Sequence, residues 1–218
     1  LLGNRNGAVV AMNPKTGEIL ALVSKPDFDV NEEALSKNWK MMVESLDAPF
    51  LPRATQGLYT PGSTFKLVTA AAIIENGMDD QTFNDKGVIT IDGKEISNSG
   101  GKAYGEIDLK KAMAVSSNVM FAQFGVKLGQ GKLEDIAKRV GFGADISFDI
   151  PVNKSLFQYD KMDQNDMAAV AIGQGKLLVS PLHMAMIVSG IANNGVIMKP
   201  YLVSSVLTPA DKEIKSYK

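Results

Sequence analysis

The chain contains no cysteine and a single histidine, His183. Disulfide scaffolds, zinc clusters, thiol nucleophiles and Cys-His catalysis are excluded together. A Ser-His-Asp triad would depend on His183, within Ser180-Pro181-Leu182-His183-Met184. There Ser180 suits a helix N-cap and Pro181 the first helical position, so His183 reads as a structural residue rather than a base. Neither sign of charge dominates: 23 Lys and Arg face 24 Asp and Glu, a formal net charge of -1. No long-range field draws such a chain to nucleic acid. Long apolar runs are missing too. Leu67 to Ile74 is interrupted by Thr69 and is too short to span a bilayer. The chain opens at Leu1 with no secretory signal, and the expectation is a piece of a longer protein, with a membrane anchor outside it left open. No metal or cofactor is expected. Hydroxyls, amines, carboxylates and amides must carry any chemistry.

What is present is globular. The 218 residues are 45% hydrophobic and 22% charged, with 20 Gly and 9 Pro, which excludes disordered and collagen-like chains. Ala8 to Met12 and Ile19 to Val23 are apolar runs around Asn13-Pro14-Lys15-Thr16-Gly17. They predict an antiparallel hairpin, too apolar to face water and therefore covered by helices on at least one face. A long connector from Pro26 to Gly62 holds one predicted helix, Glu32 to Leu46. Pro61 to Gly77 predicts a central helix that is apolar on nearly every face.

Val88 to Lys94 suggests a small hairpin, and Ser97 to Gly105 a Gly/Ser-rich loop. Asp108 can cap a helix that stops near Ser116-Ser117-Asn118. Val119 to Leu128, Lys132 to Val140, Asn165 to Ile172 and Pro181 to Asn194 carry further helical patterns, and 144–161 is irregular. Tyr201 to Leu207 reads as a strand that frays or finds an unusual partner. The resulting class is α/β (α+β). Sheet elements occupy 1–30 and 196–218, a mainly helical lobe 61–172, and the helix 181–194 packs on the sheet.

Ser63 and Lys66 lie three residues apart on the first turn of the helix that Pro61-Gly62 opens, and so share a face. A serine there can be a simple cap. The lysine is harder to dismiss, because no other charge occurs in that helix until Glu75. A buried ammonium costs several kcal/mol, on the order of magnitude, unless it is paired or gives up its proton. A lysine with lowered proton affinity beside a hydroxyl activates serine without histidine. Ser116-Ser117-Asn118, between Val115 and Val119, is a polar knot in an apolar neighbourhood. As a plain interhelical turn it needs only its own caps. Buried beside Ser63 and Lys66, it would find partners there.

Pro61-Gly62-Ser63-Thr64-Phe65-Lys66 followed by Ser116-Ser117-Asn118 resembles the penicillin-binding-protein transpeptidase domain, of the serine β-lactamase superfamily. Arg53-Ala54-Thr55-Gln56, Gly173-Gln174-Gly175 and Ile191-Ala192-Asn193-Asn194-Gly195 extend the likeness from Gly7 to Val203, with wording closer to the monofunctional class B enzymes. The resemblance implies a helix-rich fold with a central antiparallel sheet, here incomplete. It implies Ser63 as the acylated nucleophile, Lys66 as its base, Ser116 as proton relay and Asn118 as a hydrogen-bonding amide. The implied activity is D,D-transpeptidation of peptidoglycan stem peptides at their D-Ala-D-Ala ends, with β-lactams as covalent inhibitors. The implied setting is the extracytoplasmic face of a bacterial membrane, within a cell-wall synthesis complex. Two other readings stay open: a non-catalytic helical module or inactive homologue, and a β-lactamase or penicillin-sensing receptor domain.

The sequence departs from the family at its third motif. Lys15-Thr16-Gly17 matches Lys-Thr/Ser-Gly, but it precedes Ser63 and sits in the hairpin turn; none follows Asn118. The expectation is a C-terminally truncated domain that lacks one oxyanion donor, a loss of about 3 kcal/mol in transition-state stabilisation.

Overall fold

The two apolar runs near the start form the hairpin their turn predicts. The structure, a computed structural model, describes residues 2–216. Strand β1 (Gly7–Met12) pairs antiparallel with β2 (Ile19–Lys25). The register slips at the end of β1: Ala11 faces Ala21 but Met12 faces Ile19, leaving Leu20 bulged. The bulge turns Leu20 outward, 64% exposed. Ile19 and Leu22 can then both face the same apolar cluster. Helical cover on at least one face is the expectation, and that face is covered. Leu20 and Val23 stay exposed on the other face.

After the hairpin, α1 (Glu32–Glu44) ends two residues short of Leu46. Its Trp39 packs on Phe50, which meets Phe28 edge-on. The helix expected from Pro61 opens instead as a 3-10 turn, Gly62–Phe65, and becomes α-helical only in α2 (Lys66–Glu75). Val68, Thr69, Ala72 and Ile73 are buried, while Ile74 is exposed, so α2 is not sheathed on every side.

Strands β3 (Phe83–Asp85), β4 (Val88–Ile91), β5 (Lys94–Ser97) and β6 (Gly105–Ile107) follow. β4 pairs with β5, and β3 with β6, both antiparallel. Asp108 caps α3 (Leu109–Val115) by accepting the Lys111 N–H at 2.7 Å. The two helices expected beyond Asn118 are one element, α4 (Asn118–Arg139), broken at Gly129. Next come β7 (Leu156–Phe157), α5 (Gln164–Ala171) and β8 (Leu177–Leu178), with α5 opened by a capping box between Asp163 and Asp166. α4 crosses α5 closely at Gly125, where a Cβ would stand 2.5 Å from the Ala171 Cβ. The chain closes with α6 (Pro181–Ala192), β9 (Ser205–Leu207) and β10 (Glu213–Ser216).

Two compact units emerge. One holds the described residues up to Tyr59, 145–154 and those from Val179 onward; the other holds 60–144 and 155–178. In the first, Leu182 and Met186 of α6 cover Ile19, Val10 and Leu22 of the hairpin. Full burial of a side chain such as Leu182 contributes about 2 kcal/mol. Residues 145–154, expected in the helical lobe, join this unit because Ile146, Phe148 and Val152 pack on the same cluster. The Asp149 carboxylate also accepts the N–H groups of Leu202 and Val203, at 2.6 and 3.1 Å. The strand expected over Tyr201 to Leu207 divides. Tyr201 makes a single parallel bridge to Glu18, and β9 pairs antiparallel with β10. Residues 1, 217 and 218, included in the expected sheet regions, lie outside the described residues.

Candidate active site

A backbone bond ties down the turn carrying Ser63. The Gly62 N–H donates to the Gly173 carbonyl at 2.8 Å. Gly173 has φ +78°, and a Cβ on it would stand 1.9 Å from the Gly62 carbonyl oxygen, so only glycine permits this approach. One residue after the turn, the Lys66 N–H donates back to the carbonyls of Ser63 and Thr64. Phe65 is fully buried edge-on against Phe142, while Ser63 is exposed. The Thr69 hydroxyl, one turn further along α2, donates to the Ala171 carbonyl at 2.9 Å.

Lys66 is buried in the protein, 1% exposed. Its Nζ donates to the Ser116 carbonyl at 2.8 Å, the Ser116 hydroxyl at 3.0 Å and the Asn118 Oδ1 at 2.7 Å. The Phe121 ring centroid lies 5.5 Å from the amine. An ammonium has three N–H donors, and three acceptors meet them. Burial nevertheless opposes the charge and lowers the pKa to about 8. At neutral pH roughly a tenth of such amines are uncharged, against about one in three thousand for an ordinary lysine.

The acceptors come from one turn. Ser116 closes α3 in the left-handed region, φ 55° and ψ 46°. A non-glycine residue there costs about 1 kcal/mol or more. That conformation brings both its carbonyl and its hydroxyl to one amine. Ser117 caps α4, accepting the Met120 N–H at 3.0 Å and donating to Asp85 Oδ2 at 2.6 Å. Asn118 donates from Nδ2 to the Ser97 carbonyl at 2.9 Å, which leaves Oδ1 for Lys66.

Of the four candidates, Lys66, Ser116 and Asn118 are thus joined by hydrogen bonds across 50 and 52 residues. Ser63 sits one turn before Lys66 on the same helical run. Two buried residues behind the turn, Asp85 and Asn98, carried no signal in the sequence beyond being polar residues near glycines. Lys15-Thr16-Gly17 occupies the hairpin turn of the first unit. His183 is buried there on α6, its backbone N–H held by the Ser180 hydroxyl at 3.2 Å. Among the described residues no group of three or more His, Asp or Glu side chains could hold a metal ion.

Similarity to known proteins bears on this arrangement. The family model described as "Penicillin binding protein transpeptidase domain" matches residues 7–217. Penicillin-binding protein 3 of Bacillus subtilis is 35% identical over 224 residues, covering 96% of this chain and 33% of that protein. Peptidoglycan D,D-transpeptidase PbpA of Mycobacterium tuberculosis is 32% identical over 225 residues, covering 95% of this chain and 45% of the relative. A solved structure of penicillin-binding protein A from M. tuberculosis, a ceftriaxone acyl-enzyme complex, superposes with a TM-score of 0.90 at 32% identity; 97% of this chain and 50% of that one are covered. The chain therefore spans about a third to a half of the length of these proteins. With its α/β fold and nearly its whole length matched, the chain belongs to the penicillin-binding protein transpeptidase domain family.

Proposed function

We propose that this chain carries the acyl-transfer centre of a peptidoglycan D,D-transpeptidase, with Ser63 as nucleophile. The observation that carries the reading is the Lys66 amine, buried, lowered in proton affinity and held by Ser116 and Asn118. In the uncharged state this amine takes the Ser63 hydroxyl proton as the oxygen attacks the carbonyl of the penultimate D-Ala. Negative charge develops on the carbonyl oxygen near the Ser63 N–H, at the start of a helical run. The C–N bond then breaks. The terminal D-Ala leaves as an amine, taking a proton that Ser116 relays from Lys66, and an ester to Ser63 remains. The amine of a second stem peptide attacks that ester, forming the cross-link and returning the hydroxyl to Ser63. Asn118 orients the bound peptide.

A β-lactam follows the same first half, except that its ring amide opens and the leaving nitrogen stays tethered. The acyl-enzyme then persists. The relatives' names and the acyl-enzyme neighbour support this substrate class. The reading places the full-length protein at the extracytoplasmic face of a bacterial membrane, anchored through a segment outside this chain and working within a cell-wall synthesis complex.

Mass spectrometry of the full-length protein after timed exposure to labelled penicillin tests the reading. Stable label on Ser63, abolished in Ser63→Ala with folding intact, is expected. Label on another residue removes the mechanism.

A further inference from the structure

A buried carboxylate stands behind the turn that faces Lys66. Asp85, at the end of β3, has no exposed surface. Its donors are neutral. Asn98 Nδ2 lies 2.9 Å from each oxygen, the Gly87 N–H 2.8 Å from Oδ1 and the Ser117 hydroxyl 2.6 Å from Oδ2. Acyl transfer as proposed above makes no use of this group. Removing a carboxylate from water is costly, and a turn that needed only burial would be served by an amide or an apolar side chain.

The bonds have a direction. Asp85 holds the hydroxyl of Ser117, the residue between Ser116 and Asn118. It also turns Asn98 so that Oδ1 accepts the N–H groups of Asn118 and Val119, at 2.8 and 3.2 Å. One carboxylate thereby fixes the middle of the turn and the first residues of α4. The left-handed backbone of Ser116, itself held by its N–H bonds to the Ala112 and Met113 carbonyls, immediately precedes this anchored pair.

We propose that Asp85 is a positioning residue for acyl transfer: through Ser117 and Asn98 it keeps the Ser116 hydroxyl and the Asn118 amide oxygen within bonding distance of the Lys66 amine. The proposal rests on the acyl-transfer reading of Ser63 and Lys66. Its signature is selective. Misplacing the turn slows the covalent step, and binding of the intact β-lactam changes little.

Stopped-flow acylation of the full-length protein by a fluorescent penicillin separates the non-covalent Kd from the acylation rate. The variants are Asp85→Asn, Ser117→Ala and their combination, with thermal denaturation checking that each folds. Each single variant should lower the acylation rate by about tenfold to a hundredfold, with Kd moving less than about threefold. The double variant should lose less than the product of the two single losses, because both act on the Asp85–Ser117 bond. An acylation rate unchanged in either folded single variant, or losses that multiply in the double, would overturn the proposal. If Asp85→Asn does not fold, Ser117→Ala decides by the same criterion, with the thermal midpoint reporting separately the lost cap of α4. A wild-type protein that never labels Ser63 would count against acyl transfer itself. A labelled wild type with indifferent variants counts against Asp85 only.

Discussion

Gly173 lies against the Gly62 carbonyl so closely that a Cβ would come within 1.9 Å of the oxygen. The Gly-Gln-Gly turn and the turn bearing Ser63 are in effect one piece of backbone. Gly173→Ala must also hold alanine at φ +78°. It should cost roughly 1–3 kcal/mol in denaturant titrations. By displacing Ser63, it should also slow penicillin labelling at least about tenfold. Labelling at the wild-type rate would show that the Ser63 turn tolerates the shift.

The amine of Lys66 sets a pH profile. With its pKa lowered to about 8, the rate of acylation should rise as pH increases through that value and level off above it. Rates measured from pH 6 to 10 check this, and Lys66→Ala should nearly abolish labelling throughout.

Stability follows the same group with a definite sign. The folded pKa lies below the unfolded one, so between about 8 and the ordinary value of 10.5 the unfolded chain binds more protons. Stability should therefore rise with pH across that window, by on the order of 3 kcal/mol, and this contribution is absent below it. Because other groups titrate too, the readout is the difference between wild type and Lys66→Met in urea titrations. A difference that stays flat from pH 8 to 10.5 would contradict the lowered value.

Asn118→Ala removes one of the three acceptors of the Lys66 amine and the donor to Ser97. Labelling should slow by about tenfold to a hundredfold, through poorer placement of the amine and of the bound amide. A global loss of fold would instead show as a lowered denaturation midpoint, measured in parallel.

Leu182 is the centre of the cluster that joins α6 to the hairpin. Leu182→Ala should destabilise the protein by about 2–5 kcal/mol, the range for deleting a buried leucine and leaving a cavity. Chemical denaturation measures it directly.

Lys66, Ser116 and Asn118 could be singled out in the chain because they are chemically out of place, one amine in an apolar helix and a polar knot between apolar helices; Ser63 alone would pass for a cap, and the roles of all four came from the resemblance. The caps Asp108 and Ser180 were equally legible, since short polar side chains before apolar runs have few other uses. Asp85 and Asn98 were not. Their meaning lies in bonds that span 13, 20 and 32 residues, and no local pattern encodes those. The bulge at Leu20 was hidden for a related reason: an apolar run too rich for alternation carries no mark of where register slips. The 3-10 start of the Ser63 helix escaped because hydrophobic periodicity over four residues does not separate it from an α-helical turn.

The bonds that assemble the site have a consequence for the order of folding. Lys66 meets its acceptors 50 and 52 residues away, and Thr69 meets the Ala171 carbonyl across 102 residues. Contacts of such span close late, after local helices and hairpins have formed, because the entropy of loop closure comes first. A chain emerging from synthesis has Ser63 long before it has Ala171 or Gly173. Until then its serine is an ordinary hydroxyl on a frayed helix end. Under the acyl-transfer proposal, labelling of Ser63 by a penicillin should therefore double as a clock for maturation of this unit, counting only molecules whose distant segments have met.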